Sequence, residues 1–555
     1  MIAGRRTVML VGALALAWGT LLALLLEQPG YTDAYYYFNA AKRLAEGHGL
    51  SDPYLWTYFN APDRLPGPSH TYWMPLQSLI AGASMAIGGA TFRAAQVPSV
   101  LCYAGLVLVA FWLGERLGTR RRTAWVAALL VMFSGFYIPY WVTTDTFALF
   151  GLVGALALLA LGRAAKGWQL RWYALSGALG GLAHLTRADG VLLILVLVAV
   201  AFWQSARWGK NGAHSADGLL FKGAAEQRPY RRAIQLSGSA MRWTDGLRAA
   251  GMGLLAYGIV MLPWFARNLD VLGTPLPLGG TDTIWMRSYD ELVRYPPGAS
   301  LRDFLAWGTG PILRSRLEAL ANNLGTLVAV ETWVILGPFA LFAGWRRRSL
   351  ALVRGFALYA AALHLVMTFV FAFPGYRGGL FHSSAALLPF WAALAAAGLD
   401  EGVAWAAQRR RWRPAEASAV FNGAAVILAL ALTLSALSAK LDGWNDNARF
   451  YREIARDLPV GAVLMLNDPA ALYYQTGLSG VVVPDSDPAV VPEIAARYGV
   501  THLLLDANRT ASFGGLFAGE DTRPYLRLVR HYGADTPERA DDRVLFEIVR
   551  GEAAP

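Results

Sequence analysis

Long apolar blocks separated by short polar clusters are the dominant pattern of this sequence. Blocks such as Val8–Leu26 and Val191–Trp203 carry no charged residue, and with adjacent apolar residues they reach the length that a bilayer crossing needs. Clusters of Arg and Lys lie between the blocks, as in the cytoplasmic loops of membrane proteins. The pattern therefore predicts a polytopic α-helical membrane protein.

Six basic clusters orient the predicted helices, because cytoplasmic loops are enriched in Lys and Arg. The clusters lie at 5–6, 120–122, 163–171, 210–248, 346–348 and 409–413. Placing all six inside gives eleven crossings, with the N-terminus inside and the C-terminal tail outside. The predicted spans are 8–26, 95–117, 123–141, 146–163, 172–187, 189–206, 248–266, 322–344, 351–372, 383–405 and 418–438.

One apolar block, Trp73–Gly89, does not fit as a crossing, because it would move the cluster at 120–122 to the outer side. It is also marginal in length, so we predict an amphipathic or re-entrant helix on the outer face. A true crossing compensated by another one elsewhere is the alternative. The outer loops 27–94 and 267–321 are long and rich in Trp and Tyr, which is typical of functional loops.

The composition agrees with a membrane protein and divides the chain in two. The chain of 555 residues is 55% hydrophobic and 16% charged, whereas soluble domains have about 45–50% and about 25%. This excludes a disordered chain, a fibrous repeat and a simple cytosolic enzyme. The net charge of +11 consists of +17 in residues 1–440 and −6 from Leu441 onward, so we predict a membrane domain at 1–440 and an extracytoplasmic domain at 441–555.

The basic clusters are short and lie between apolar blocks, so they do not form the continuous basic surface of a nucleic-acid-binding protein. Cys102 is the single cysteine of the sequence, so an intrachain disulfide is excluded.

The tail alternates β-prone and helix-like runs, which predicts a small α/β domain. The predicted strands are Ala462–Leu466, Val481–Val483, His502–Leu505 and Val544–Val549. The predicted helices are Pro469–Thr476, Pro488–Tyr498 and Pro524–Tyr532. Since no glycine-rich phosphate loop or nucleophile elbow occurs here, we expect a lid, docking or scaffolding module.

Two aspartates stand at the predicted outer surface among aromatic residues. Asp33 follows the first span, and Asp145 lies between the third and fourth spans. Each is a candidate catalytic carboxylate, and each could instead be only the N-cap of the helix that follows it.

An aspartate after the first span, a second acid after the third and a long first outer loop together resemble the GT-C glycosyltransferases. The likeness is greatest to glycosyltransferase family 39, the group of protein O-mannosyltransferases and bacterial aminoarabinose transferases. Further similar stretches are Val97–Val100, Gly114–Gly118, Gly180–Gly190, Pro263–Pro275 and Tyr376–His382 followed by Leu388-Pro389. The resemblance implies a GT-C fold of about eleven transmembrane helices with interfacial helices on the outer face and a small C-terminal α/β domain.

The reaction implied by this resemblance is inverting transfer of a sugar from a polyprenyl phosphate to a lipid, glycan or protein acceptor. The resemblance makes Asp33 the general base, and Asp145 a second acid that orients the acceptor or binds a divalent cation such as Mg²⁺ or Mn²⁺. No cofactor is required. Candidate donor-phosphate residues are Arg267, Arg187, Arg377 and His382; candidate substrate-loop residues are Tyr31, Tyr35, Tyr36, His70 and Tyr72. A retained N-terminal anchor suggests a bacterial inner membrane.

One departure from the family pattern concerns phosphate binding. The aminoarabinose transferases carry an acid–lysine pair before a proline of the outer helix, whereas here Trp73-Met74 precede Pro75 and His70 is the nearest substitute.

Two alternative functions remain open. One is an oligosaccharide transferase with a pyrophosphate-linked donor, and the other is a non-enzymatic transporter or scaffold. Gly177 and Gly181 predict a close helix–helix contact.

Overall fold

The computed structural model describes residues 4–59, 61–208, 243–277, 279–533 and 542–549, and the basic cluster at 210–248 lies mostly outside them. The described chain is mostly helical. Its main helices are α1 (Arg5–Leu25), α2 (Thr32–Ala45), α3 (Leu76–Gly88), α4 (Phe92–Leu117), α5 (Arg121–Met132), α6 (Phe147–Gly167), α7 (Leu170–Thr186), α8 (Val191–Trp208), α9 (Trp243–Leu272), α10 (Thr309–Thr326), α11 (Gly337–Arg346), α12 (Ala351–Leu365), α13 (Leu388–Arg410), α14 (Pro414–Arg456), α15 (Pro469–Thr476), α16 (Val491–Tyr498) and α17 (Gly514–Ala518). Shorter helical segments include Leu301–Ala306, Leu327–Glu331, Val366–Val370, Gly375–Gly379 and Leu380–Ser383.

Eight helical segments of the described chain are long and apolar enough to cross a membrane, which agrees with a multi-pass protein. The other three predicted spans are also helical but shorter or interrupted. The helix predicted at 123–141 ends at Met132, because Gly135 adopts a φ of 59° and Pro139 cannot continue an α-helix. The span predicted at 322–344 is divided between α10 and α11, where Trp333 has a positive φ of 47°.

The block predicted to lie on the outer face forms α3, a helix of 13 residues. At 1.5 Å per residue such a helix is about 20 Å long, which is less than the bilayer core of about 30 Å. α3 packs against α2 and α4. A Cβ atom at Gly82 would lie 3.1 Å from the carbonyl oxygen of Ala41, so the small residue permits close approach to α2.

Small residues also bring α7 and α9 together. A Cβ atom at Gly177 would collide with the carbonyl oxygen of Gly253, and one at Gly181 would lie 3.0 Å from the Val260 side chain. The close helix contact predicted from this pair of glycines is therefore present. Such contacts allow backbones to pack tightly where the hydrophobic effect does not drive helix association.

The tail domain contains a mixed five-stranded sheet, and two further short strands, β1 (Ser51–Asp52) and β2 (Gly67–Pro68), pair separately in the predicted first outer loop. The strands of the sheet are β3 (Leu464–Leu466), β4 (Gly480–Val482), β5 (His502–Leu505), β6 (Leu526–Tyr532) and β7 (Arg543–Ile548). Their order across the sheet is β4-β3-β5-β7-β6. β3 is parallel to β4 and β5, and β7 is antiparallel to β5 and β6. Strand–helix alternation in this region is thus as predicted.

The prediction of a helix at Pro524–Tyr532 is wrong, because this segment forms the edge strand β6. Its residues pair with β7 from Leu526 opposite Ile548 to Tyr532 opposite Arg543. A helix here would leave the backbone groups of β7 unpaired on that edge. Over such a short segment, apolar spacing does not distinguish a helix from a strand.

The tail domain and the first outer loop are joined through backbone hydrogen bonds. The Leu55 N–H donates to the Gly480 carbonyl at 2.9 Å, and the Val482 N–H donates to the Leu55 carbonyl at 2.7 Å. In addition, α14 continues without a break through residue 441, where we placed the domain boundary. The tail domain is therefore packed directly on the loop that carries Asp33.

Candidate functional site

Asp33 lies in the first turn of α2, at the entrance to the first outer loop. Gly30 precedes the helix with a φ of 94°, and a Cβ atom there would lie 2.7 Å from the Trp444 ring. Tyr31 occupies the N-cap position and forms no side-chain capping bond. Asp33 is thus not the N-cap of α2, and its side chain remains 30% exposed.

Asp145 lies in the turn before α6 and is 1% exposed. Its Oδ1 accepts hydrogen bonds from the Thr146 N–H at 2.5 Å and the Thr146 hydroxyl at 3.1 Å. Its Oδ2 accepts a hydrogen bond from the Tyr31 hydroxyl at 2.8 Å. Tyr31 therefore connects the start of α2 to Asp145, and both acids lie on one side of the helix bundle.

His382 lies against both carboxylates. Its Nε2 atom is 2.9 Å from Asp145 Oδ2 and 3.8 Å from Asp33 Oδ2. Its Nδ1 atom is 2.8 Å from the Gly378 carbonyl oxygen, and since a carbonyl oxygen only accepts, Nδ1 carries a proton. The ring also stacks on Phe147 with centroids 4.0 Å apart. These contacts direct Nε2 towards the two acids.

The environment separates the proton affinities of the two acids. Burial raises the pKa of Asp33 to about 7, with a further rise from Asp145 and smaller opposing effects of His382 and Arg187. Burial also acts to raise the pKa of Asp145, but His382, the Thr146 N–H and the Tyr31 hydroxyl outweigh it, so this pKa is lowered. Asp145 is therefore a stable anion, whereas Asp33 can take up or release a proton near neutral pH.

The same three side chains form a candidate cation site. One ligand atom each from Asp33, Asp145 and His382 lies within 4.8 Å of the others. The Gly378 carbonyl binds the Nδ1 proton, so Nε2 is the ring nitrogen that faces both carboxylates and would be the metal-binding atom, which is the usual arrangement of a metal-bound histidine. The donor set therefore fits a divalent cation.

The predicted phosphate-binding arginines occupy different surroundings. The charge of Arg187 acts on Asp33, and its Nε donates to the Ser383 hydroxyl at 3.1 Å. Arg377 lies over the Tyr289 ring at 5.4 Å. Arg267 instead donates to the Ser69 carbonyl at 2.6 Å and lies 4.8 Å from the Trp264 ring. The charge of Arg187 therefore acts on Asp33, whereas Arg267, named first among the phosphate candidates, contacts the loop at Ser69.

Tyr31 and Tyr72 are the substrate-loop candidates nearest to the acids. Tyr31 contacts Asp145 directly, and desolvation raises the pKa of the partly buried Tyr72, with contributions from Tyr289 and Asp33. Sequence reasoning missed Tyr37 and Tyr289, on which the charge of Asp33 also acts. Tyr37 follows Asp33 by four residues in α2, which is about one helical turn, and this spacing was the signal that could have found it.

The other loop candidates serve packing. The Tyr35 ring packs at a tilt against Tyr474 of the tail domain, with ring centroids 5.0 Å apart. Tyr36 donates to Asp52 at 2.9 Å and accepts from the His70 N–H at 2.6 Å. Burial, assisted by Arg267, lowers the pKa of the fully buried His70 to about 3. A lowered pKa disfavours the charged imidazole, so His70 differs in charge from the lysine of the family pattern.

Comparisons with known proteins agree with this architecture. A family model described as dolichyl-phosphate-mannose-protein mannosyltransferase matches residues 69–221. ArnT from Cupriavidus metallidurans, solved with undecaprenyl phosphate bound, has a TM-score of 0.58 at 14% identity, and the match covers 100% of each chain. The chain has the GT-C fold. The resemblance to family 39 found in the sequence is thereby confirmed for the fold.

Two structures of the archaeal oligosaccharyltransferase AglB from Archaeoglobus fulgidus are also similar. The complex with an inhibitory peptide and dolichol phosphate has a TM-score of 0.53 at 12% identity, covering 90% of this chain and 69% of AglB. The complex with Zn and sulfate has a TM-score of 0.51 at 13% identity, covering 92% and 69%. Curated proteins provide no match. The family model and these solved neighbours are glycosyltransferases, in agreement with the expected enzyme class.

Proposed function

We propose that this protein is an inverting glycosyltransferase that moves a sugar from a polyprenyl-phosphate donor to an acceptor at the outer membrane face. The observation that carries the proposal is the meeting of Asp33, Asp145 and His382 at one side of a GT-C helix bundle. Asp33 and Asp145 are the catalytic pair. Asp33 is the more exposed acid, so it is the one that an acceptor hydroxyl can reach.

Asp33 acts as the general base in this proposal. An acceptor hydroxyl must lose its proton as it attacks the anomeric carbon, and a base is most effective when its pKa lies near the working pH. Burial raises the pKa of Asp33 to about 7, which satisfies this condition. Asp145 remains anionic and, with Tyr31 and His382, holds the acceptor side of the site in place.

The leaving lipid phosphate gains negative charge and therefore needs fixed cations. We assign Arg187 and Arg377 to this role. The charge of Arg187 acts on Asp33 itself, and the charge of Arg377 acts on Tyr289, which Asp33 also influences. A guanidinium can hold two phosphate oxygens at once. Arg267 and His382, our other phosphate candidates, contribute to the loop and to the acid pair, respectively.

A divalent cation held by Asp33, Asp145 and His382 would neutralise phosphate charge at this position. Since one ligand is an imidazole, the set favours Mn²⁺ or Zn²⁺ over Mg²⁺, which prefers oxygen ligands. Crystals of the similar AglB contained Zn and sulfate, which supports testing these ions. With such a cation bound, its charge would lower the pKa of Asp33, so Asp33 would then serve as a ligand that orients the acceptor and not as the general base.

The nature of the donor is inferred from the neighbours. ArnT was solved with undecaprenyl phosphate and AglB with dolichol phosphate, so we propose a polyprenyl phosphate that carries the sugar. The acceptor is a lipid, a glycan or a protein. We further propose a bacterial inner membrane, with the N-terminus cytoplasmic and the tail domain periplasmic.

A second candidate is transfer of an oligosaccharide from a pyrophosphate-linked donor. The three-residue cation site favours it, because a pyrophosphate needs more charge neutralisation than a single phosphate. Supplying each donor class separately to the same preparation distinguishes the two. Transfer from the pyrophosphate donor alone would replace the first proposal by the second.

Replacing Asp33 by Asn tests the general-base assignment. We expect turnover to fall by about 10²- to 10⁴-fold, the usual contribution of a general base, while binding of undecaprenyl phosphate is retained. The assay is transfer of labelled sugar from polyprenyl phosphate to an acceptor extract by full-length protein in lipid nanodiscs. Asp63→Asn is the matched control, because Asp63 is a fully exposed aspartate of the same loop. Wild-type turnover in the Asp33→Asn variant would refute the assignment.

A further inference from the structure

The tail domain reaches the first turn of α2 through a single carboxylate. Asp468 Oδ2 accepts a hydrogen bond from the Thr32 hydroxyl at 2.6 Å. Asp468 Oδ1 accepts from the Ala471 N–H at 3.0 Å and so caps the N-terminus of α15. Thr32 directly precedes Asp33. One side chain therefore connects the start of a tail-domain helix to the turn that carries the proposed base.

Further contacts hold α15 along α2 and give this connection a rigid base. The Asn39 side-chain N–H donates to the Ala470 carbonyl at 2.9 Å. The Tyr474 ring lies 5.0 Å from Tyr35 and 4.9 Å from Phe38. These contacts follow successive turns of α2, so α15 supports the helix rather than touching it at one point.

The first turn of α2 needs such support. The first four N–H groups of a helix have no intrahelical partner, and its N-cap residue Tyr31 provides no side-chain bond to them. Helix ends without a cap fray. A base that moves by about 1 Å can lose about a hundredfold in rate, because the reaction depends on the distance between the reacting atoms.

We infer that Asp468 is a positioning residue for Asp33, and that its hydrogen bond to Thr32 makes the C-terminal domain part of the transferase site. This inference rests on the proposed function. Asp468 does not contact substrate in this account; it acts only through Thr32 and α2. The competing explanation is that Asp468 merely caps α15 and stabilises the tail domain.

A pair of substitutions at Thr32 separates these explanations, because the cap of α15 is left intact. Thr32→Val removes the hydroxyl at nearly constant volume, and Thr32→Ser retains it. We expect Thr32→Val to lower kcat about 10-fold or more, with the donor KM within about twofold of wild type. Thr32→Ser should recover most of kcat. Equal kcat values for both variants and wild type would overturn the inference.

A matched cap variant controls for stability of the tail domain. Asp487 caps the neighbouring helical turn through the Ala489 N–H at 2.8 Å, as Asp468 caps α15. Asp468→Ala and Asp487→Ala both remove one N-cap, but only Asp468→Ala is expected to lower kcat. An equal decrease in both variants would show that capping alone matters and would overturn the inference.

Hydrogen exchange provides a readout that does not depend on activity. The Tyr35 N–H bonds to the Tyr31 carbonyl at 2.9 Å and so reports on the first turn of α2. We expect faster exchange there in full-length Thr32→Val than in Thr32→Ser. If wild type transfers no sugar but this difference is seen, the proposed function fails and the contact stands. If exchange is the same in both variants, the inference itself is wrong.

Discussion

Turnover by this protein should rise with pH across neutrality, because the proposed base accepts a proton only as a carboxylate. Burial raises the pKa of Asp33 to about 7. A group with this pKa is about one-tenth ionised at pH 6, about half ionised at pH 7 and about nine-tenths ionised at pH 8. We therefore expect kcat/KM to increase about fivefold from pH 6 to 7 and less than about twofold from pH 7 to 8.

The assay is the initial rate of sugar transfer in nanodiscs between pH 5.5 and 9, with EDTA present so that no divalent cation alters the titration. Thermal unfolding at each pH checks that the protein stays folded. The charge of Arg187 lowers the pKa of Asp33, so Arg187→Gln should move the rising limb to higher pH. Arg187→Lys keeps a positive charge and serves as the control. A flat profile between pH 6 and 8, or a limb that does not move in Arg187→Gln, would refute the reasoning.

Two further predictions concern the cation site and the helix bundle. His382→Gln should weaken Mn²⁺ binding at least about 10-fold in calorimetric titrations with the ion alone, because a candidate ligand is lost; the exposed His48→Gln is the control, and an unchanged Kd would contradict the site. Gly177→Ala should cost about 1–3 kcal/mol and lower the Tm, because its Cβ would collide with the Gly253 carbonyl. Gly258→Ala, which adds its Cβ to open space, should unfold like wild type, and equal Tm values for both variants would show that the bundle relaxes freely.

Loop charges predicted that the two acids lie on the same side of the membrane, but not that they meet. Treating Trp73–Gly89 as a helix on the outer face placed Asp33 and Asp145 on one surface, and the structure brings both into contact with His382. The role of His382 could not be predicted in the same way. Its Nε2 direction depends on the Gly378 carbonyl four residues earlier and on the Phe147 ring, which is distant in sequence.

Local chemistry explains which secondary structure was predictable. α15 begins at Pro469 after the capping Asp468 and ends before Gly477, so both ends carry strong local signals. β6 carries no such signal, and its conformation depends on β7, which follows it in the chain. The break at Trp333 likewise has no strong local signal, whereas the helix end at Met132 is followed by Gly135 and Pro139, which hydropathy alone does not take into account.

Hydropathy, loop charge and helix caps are properties of short segments, so they sufficed to predict a multi-span membrane protein with an α/β tail. Loop charge also predicted that Asp33 and Asp145 lie on the outer side of the membrane. Only the folded chain shows that His382 lies between Asp33 and Asp145, that His70 is fully buried with a lowered pKa, and that Asp468 reaches Thr32. Each of these depends on side chains from distant segments meeting in a low-dielectric environment, where distance and burial set both hydrogen bonding and proton affinity.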